Sequence, residues 1–211
     1  MKIEQVNIGK SGTVGKRGKE YKTGIHKQAV ADRVNVSELG LEHDVIVDGK
    51  YHGGPDQAVY LYSVEDYEVL CAEMAQSFLP GLFGENLTTS GLDLTTLCVG
   101  DRLISRHLVL EVTAPRIPCN TLEARVGIRG FAKTFFKVGR SGAYCRVIET
   151  GSVGAADEFE LQTFAGDSVL LTTFFQDMKR KLSEEELHRY LALPIDERNR
   201  ADFMKQARTQ G

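Results

Sequence analysis

The chain has 211 residues, a formal net charge of −3 and a hydrophobic fraction of 42%. This is one ordinary domain with room for a small appendage, and the composition excludes a wholly disordered chain. The mild acidity argues against a general nucleic-acid binder, and no run approaches the length of a transmembrane span. The opening Met1-Lys-Ile-Glu-Gln-Val carries early charge and lacks the apolar core of a secretory signal, so a cytoplasmic, reducing location is expected. A chain this long buries enough surface to fold without a disulfide or a structural metal, and none is expected. The four cysteines (Cys71, Cys98, Cys119 and Cys145) include no C-x-x-C pair, which removes the main support for zinc-ribbon and thioredoxin-type readings.

Taken in chain order, residues 2–8 alternate polar and apolar side chains and predict a half-buried strand. Residues 9–19, rich in Gly, Ser and Lys, read as a mobile surface loop, and residues 24–30 as a strand. Ala-Val-Tyr-Leu-Tyr at 58–62 is apolar throughout and predicts a strand buried on both faces. Ser63, with Asp66 three positions on, predicts a helix cap, and Leu79-Pro80-Gly81 stops the helix that follows. Residues 84–91 read as a polar loop, and strands are expected at 101–106 and 108–114. Pro115 and Pro118 hold an extended segment around Arg116. Residues 121–137 have helical composition broken by Gly127 and Gly130, and strands return at 143–149 and 158–163. Short strands, glycine turns and a few inserted helices predict a mainly β fold built as a barrel or closed Greek-key sheet. A domain over 1–165 and a small helical C-terminal subdomain over 166–211 are expected. In the latter, residues 168–181 read as a helix, Ser183-Glu-Glu-Glu186 forms a capping box, and Asp196 caps a last helix.

Four constellations can carry chemistry. His52-Gly53-Gly54-Pro55-Asp56 places a proton-active imidazole and a carboxylate in one turn, whose glycines allow close backbone approach and an anion-binding nest. A plain tight turn explains it equally well. Pro115-Arg116-Ile117-Pro118-Cys119 holds a cysteine in a rigid polar segment near an arginine that would favour the thiolate, and a buried thiol beside a surface arginine is the alternative. Cys71 and Cys98 fit buried thiols better, and Cys145 is ambiguous. Glu85 and Asn86 can orient a ligand. Lys22, Thr23, His26 and Lys27 suit a phosphate, as do Arg140 and Arg146, although solvated charge explains them too.

In order along the chain, Thr23-Gly-Ile-His-Lys27, Leu39-Gly-Leu41, His52-Gly-Gly-Pro-Asp-Gln-Ala-Val59, Phe83-Gly-Glu-Asn-Leu87, Val99-Gly-Asp101, Pro115-Arg-Ile-Pro-Cys119 and Gly139-Arg-Ser-Gly142 with Tyr144 and Arg146 resemble the stand-alone, YiiM-like branch of the MOSC-domain family. The resemblance implies a MOSC-type β-barrel that binds a molybdenum cofactor, a pyranopterin with a dithiolene and a phosphate. It implies Cys119 as the molybdenum ligand and, with His52, as a catalytic residue. It also implies Thr23, Lys27, His52, Gly53, Gly54, Asp56, Asn86, Arg116 and Arg146 as cofactor-binding residues. The activity it implies is reduction of small N-hydroxylated compounds such as 6-N-hydroxylaminopurine, a base-analogue detoxification. Electrons would come from a separate flavin-containing reductase, with no nucleic-acid or membrane partner. A cofactor carrier without turnover, or a sulfur carrier using Cys119, is the alternative. The sequence departs from the family pattern at Glu42-His43-Asp44, at Asn120-Thr121 and at Ala143. A thiolate suits a soft metal–sulfur centre, and imidazole, which titrates near about 6.5, suits a proton donor.

Overall fold

The computed structural model describes residues 1–16, 18–49 and 52–209, with the side chains of Lys16 and Lys19 left aside. Strand β1 (Lys2–Lys16) returns as β2 (Lys19–Val30), and the two pair from Val6 opposite Val30 to Lys16 opposite Lys19. Residues 9–19 are therefore the outer half of a hairpin instead of the surface loop expected; Arg17 lies outside the described residues. The glycines that suggested a loop serve close packing. A Cβ on Gly24 would stand 1.6 Å from the carbonyl oxygen of Val45, and one on Gly9 would stand 2.1 Å from that of Gly24.

Strands β3 (Val34–Ser37) and β4 (Gly40–Leu41) form a small sheet with the later β10 (Gly151–Val153). The expected apolar strand is β5 (Val59–Ser63), buried along its whole length. Ser63 Oγ accepts from the Asp66 N–H at 3.0 Å and starts α1 (Val64–Met74), as its sequence predicts. The polar segment 84–91 contains β6 (Leu87–Ser90), whose Thr88 and Thr89 are buried because β5 pairs with it in parallel and β1 antiparallel.

Strands β7 (Arg102–Ile104), β8 (Val109–Pro115), β9 (Ala143–Glu149) and β11 (Glu160–Gln162) complete the large sheet. Its order is β11-β7-β8-β9-β5-β6-β1-β2. The sheet is open, so the closed barrel expected from the sequence is not formed among the described residues. Its last strand, β11, is three residues long and exposed throughout, too short an edge to close a cylinder. An isolated bridge of Lys2 to Glu158 links the start of β1 to the segment leading into β11, with the Ile3 N–H donating to the Asp157 carbonyl at 2.8 Å.

Helices α2 (Asn120–Val126) and α3 (Phe131–Val138) are separated at Gly127 and Gly130, where the break was expected. The last three helices are α4 (Leu171–Asp177), α5 (Glu184–Ala192) and α6 (Glu197–Arg208). Ser183 and Glu186 form the full capping box of α5, and the Asp196 side chain accepts from the Asn199 N–H at the start of α6. Phe174, Tyr190 and Phe203 pack as one aromatic group, with Phe174–Tyr190 centroids 4.8 Å apart. Phe175 stacks on Phe136 of α3 at 4.5 Å, and a single hydrophobic cluster runs from the sheet into all three helices. No helix among the described residues is long and apolar enough to cross a membrane.

Phe174 is fully buried at the centre of the aromatic group. Phe174→Ala is expected to lower the unfolding free energy by about 3–5 kcal/mol. Urea titration checks this, read as a lower midpoint at unchanged slope.

Candidate active site

The order of the sheet brings five separate stretches of chain around one cavity of about 350 Å³. Cys119 enters it from the extended link between β8 and α2. Arg116 comes from the same link, His52 and Gly53 from the turn ahead of β5, Tyr60 from β5, Asn86 from the lead into β6, and Thr23 and Lys27 from β2. Asp44, Gln57 and Tyr144 also line it. Gly53 has φ +68°, a left-handed conformation that favours glycine.

Arg116 is the electrostatic centre of the cavity. It is 5% exposed, yet its guanidinium lies over the Tyr60 ring, 4.8 Å from the centroid, and its Nη1 donates to the Tyr144 hydroxyl at 3.3 Å. Its Nε is buried without a hydrogen-bond partner, and no carboxylate among the described residues forms an ion pair with it. A guanidinium cannot shed its charge in a protein, so a buried one of this kind calls for an anion.

The Cys119 thiol supplies part of that anion. Burial pushes its pKa up, but the hydrogen bond from His52, the Arg116 charge and the backbone N–H of Leu122 outweigh burial and bring it down to about 6. At neutral pH the sulfur is therefore mostly a thiolate, the nucleophilic and metal-binding form. The other cysteines differ. Cys145 is fully buried with its thiol pushed far up, burial raises that of Cys98, and Cys71 Sγ accepts from the Phe78 N–H at 3.3 Å.

Lys27 reaches the cavity but is not a spare cation. Its ammonium lies 2.5 Å from Asp44 Oδ2, both side chains are buried, and burial lowers its pKa against the pull of Asp44. Asp44 also accepts from the Gly9 N–H at 2.7 Å and from Asn86 Nδ2 at 2.9 Å. Asn86 in turn accepts from the Tyr60 N–H at 3.1 Å through its side chain. Sequence reasoning met Asp44 only as a departure from the family pattern, because its partners are brought to it by tertiary structure.

Of the candidate residues from the sequence, Thr23, Lys27, His52, Gly53, Asn86, Arg116 and Cys119 line this one cavity. Gly54, Asp56 and Arg146 do not line the cavity. Arg146 Nη2 pairs with Asp56 Oδ1 at 3.0 Å, so the two neutralise each other. Arg140 is taken up by Asp66 and Asp93, which removes the second cationic patch. His26 Nε2 lies 3.0 Å from the Thr13 carbonyl oxygen. Glu85 sits in the core, where its Oε1 accepts from the Tyr67 hydroxyl at 2.8 Å and burial pushes its carboxyl pKa up. The sequence passed over Tyr60 as strand core and Gln57 as part of a turn; a hydroxyl or amide within a short apolar strand or a glycine turn was the one available signal.

The fold is similar to that of the crystal structure of YiiM from Geobacillus stearothermophilus, the match covering 98% of both chains with a TM-score of 0.79 at 22% identity. By sequence, the chain is 32% identical to the uncharacterized protein YflK of Bacillus subtilis (strain 168) over 208 residues, 96% of this chain and 93% of that one. It is 31% identical to Protein YiiM of Escherichia coli (strain K12) over 171 residues, 80% of this chain and 76% of that one. The MOSC domain model matches residues 48–160, and the chain belongs to the MOSC-domain family, among its YiiM-like members.

Alkylation of Cys119 by iodoacetamide is expected to follow a midpoint near pH 6, well below the 9.0 of an ordinary thiol. Arg116→Met should raise that midpoint by about one pH unit or more. Because the folded pKa lies below the unfolded one, the thiolate contributes stability that is complete above pH 9.0 and fades as pH falls through about 6. Asp44→Asn should cost about 3–5 kcal/mol of stability by leaving the Lys27 charge buried and unpaired. In chemical denaturation the double variant Lys27→Met/Asp44→Asn should recover much of that loss.

Proposed function

We propose that this protein is a molybdenum-cofactor-dependent reductase of small N-hydroxylated compounds, of which 6-N-hydroxylaminopurine is the representative substrate. The observation that carries the reading is the pairing, in one cavity, of a low-pKa thiolate at Cys119 with a buried Arg116 that has no carboxylate partner. The donor set fits the cofactor. A thiolate is a soft ligand suited to a metal–sulfur centre. A buried guanidinium suits an anionic group, and the Nε of Arg116 has a hydrogen bond still to give.

Cys119 Sγ would ligate molybdenum, with Arg116 facing the anionic part of the cofactor and Thr23, Gly53 and Asn86 lining its seat. The cofactor, when bound, supplies the two-electron redox chemistry that side chains lack. The overall change is R–NH–OH plus two electrons and two protons giving R–NH2 and water, with a flavin-containing reductase as the electron source. His52 hydrogen-bonds Cys119 and stands beside the reacting region, where its imidazole delivers a proton to the departing hydroxyl. Arg116, held by Tyr60 and Tyr144, keeps the negative charge in place, and Lys27, neutralised by Asp44, shapes the wall without adding net charge.

Protein loaded with the cofactor and supplied with a flavin reductase and 6-N-hydroxylaminopurine should release adenine, measured by chromatography. Cys119→Ala should lower turnover to the uncatalysed level and weaken retention of molybdenum, measured by elemental analysis after gel filtration. Full turnover in that variant would sink the assignment of Cys119.

A further inference from the structure

The first turn of α6 lies against the turn that carries His52. Arg198 Nη2 donates to the carbonyl of His52 at 3.3 Å and to that of Gly49 at 3.2 Å, tying together two points of the chain leading into the cavity wall. One residue earlier, the N–H of Glu197 donates to Asp56 Oδ2 at 2.8 Å. The other oxygen of Asp56 is held by Arg146, whose Nη2 also donates to the carbonyls of Pro194 and Ile195 at 3.0 and 3.2 Å, just ahead of α6. The buried Asp196 caps the helix between these ties. All of α6 lies outside residues 48–160, the part that matches the family model.

We infer that α6 is a working part of the site and that Arg198 is a positioning residue: with the Glu197 N–H it holds the His52–Asp56 turn so that the imidazole meets Cys119. The turn needs such a hold. Gly53 and Gly54 both have positive φ, at 68° and 83°, and two adjacent glycines leave a free turn many conformations. A guanidinium is suited to bridging two carbonyls because its donors are fixed in a planar fork. Displacing a reacting group by about 1 Å costs up to about a hundredfold in rate, so a backbone clamp at this distance acts on turnover more than on substrate affinity. The role in turnover rests on the reductase reading; the clamp itself does not.

The test compares the full-length protein with Arg198→Ala and Arg198→Lys. It measures amide hydrogen exchange by residue, pterin retained per chain after gel filtration, and kcat and KM for 6-N-hydroxylaminopurine. In Arg198→Ala, amides at residues 52–57 other than Pro55, which has none, should exchange at least about tenfold faster while those of β5 are unchanged. The same variant should lose about tenfold in kcat with KM within about twofold and pterin retention unchanged. Arg198→Lys should recover part of both effects, since an ammonium can serve one of the two carbonyls. Unchanged exchange at 52–57 overturns the clamp. Faster exchange across β5 as well marks a general loss of stability and overturns positioning, as does faster exchange at 52–57 with full kcat. If the unaltered protein neither retains pterin nor turns over, the reductase reading fails, and exchange at 52–57 with its recovery by Lys decides the clamp alone.

Discussion

One buried carboxylate, that of Asp44, holds together the walls on which the site is built. It accepts from the Gly9 N–H of β1, from Lys27 of β2 and from Asn86 at the start of β6. Asn86 passes the tie on to β5 through Tyr60. The backbones involved come so close that Gly9 and Gly24 admit no side chain. A buried ion pair of this kind recovers little net stability after the cost of removing both charges from water. Its effect is geometric. Only the native strand order brings these donors to one carboxylate, and any other pairing would strand the Lys27 ammonium or the Asp44 carboxylate in the core.

The same arrangement separates the roles of Lys27 and Arg116 in the cavity. Lys27 is neutralised in place, while Arg116 is braced by two tyrosines and left with the Cys119 thiolate as its counter-charge. Tyrosine faces and hydroxyls fix a guanidinium without cancelling its charge, which a carboxylate would do. The cavity therefore keeps one guanidinium whose Nε still has a hydrogen bond to give, placed next to a cysteine held as a thiolate. That combination distinguishes Cys119 from the other three cysteines more sharply than its exposure does.

The features legible in the sequence were those set by neighbours along the chain. The Ser63 and Ser183 caps, the breaks at Gly127 and Gly130, and the fully apolar β5 all appear where local chemistry puts them. Cys119 was legible because Arg116 and two prolines lie within a few residues. The long β1–β2 hairpin was not, because its glycines answer to backbones far away in sequence. The polar β6 was hidden for a similar reason: burial by a parallel partner is not written in four residues such as Leu-Thr-Thr-Ser. Asp56 and Arg146 belong to motifs that resemblance placed at the cofactor, and the fold gives them to each other instead.

That exchange of roles follows from the alternation of strand β9. Tyr144 and Arg146 are two residues apart, so the pleat sends both to one face while Cys145 turns into the core. The first of the pair reaches the cavity and braces Arg116; the second reaches past it to Asp56 and the carbonyls leading into α6. Glu111 on the neighbouring β8 stands opposite Arg146 and lies 3.5 Å from its Nη1, which fixes the guanidinium on its side of the sheet. One strand thus carries, within three positions, the brace of Arg116 and the partner of Asp56 at the far end of the histidine turn. A shift of β9 by a single residue would exchange its faces and undo both together, so the register of this strand, more than the identity of any one loop, keeps the thiolate, the guanidinium and the imidazole in a common frame.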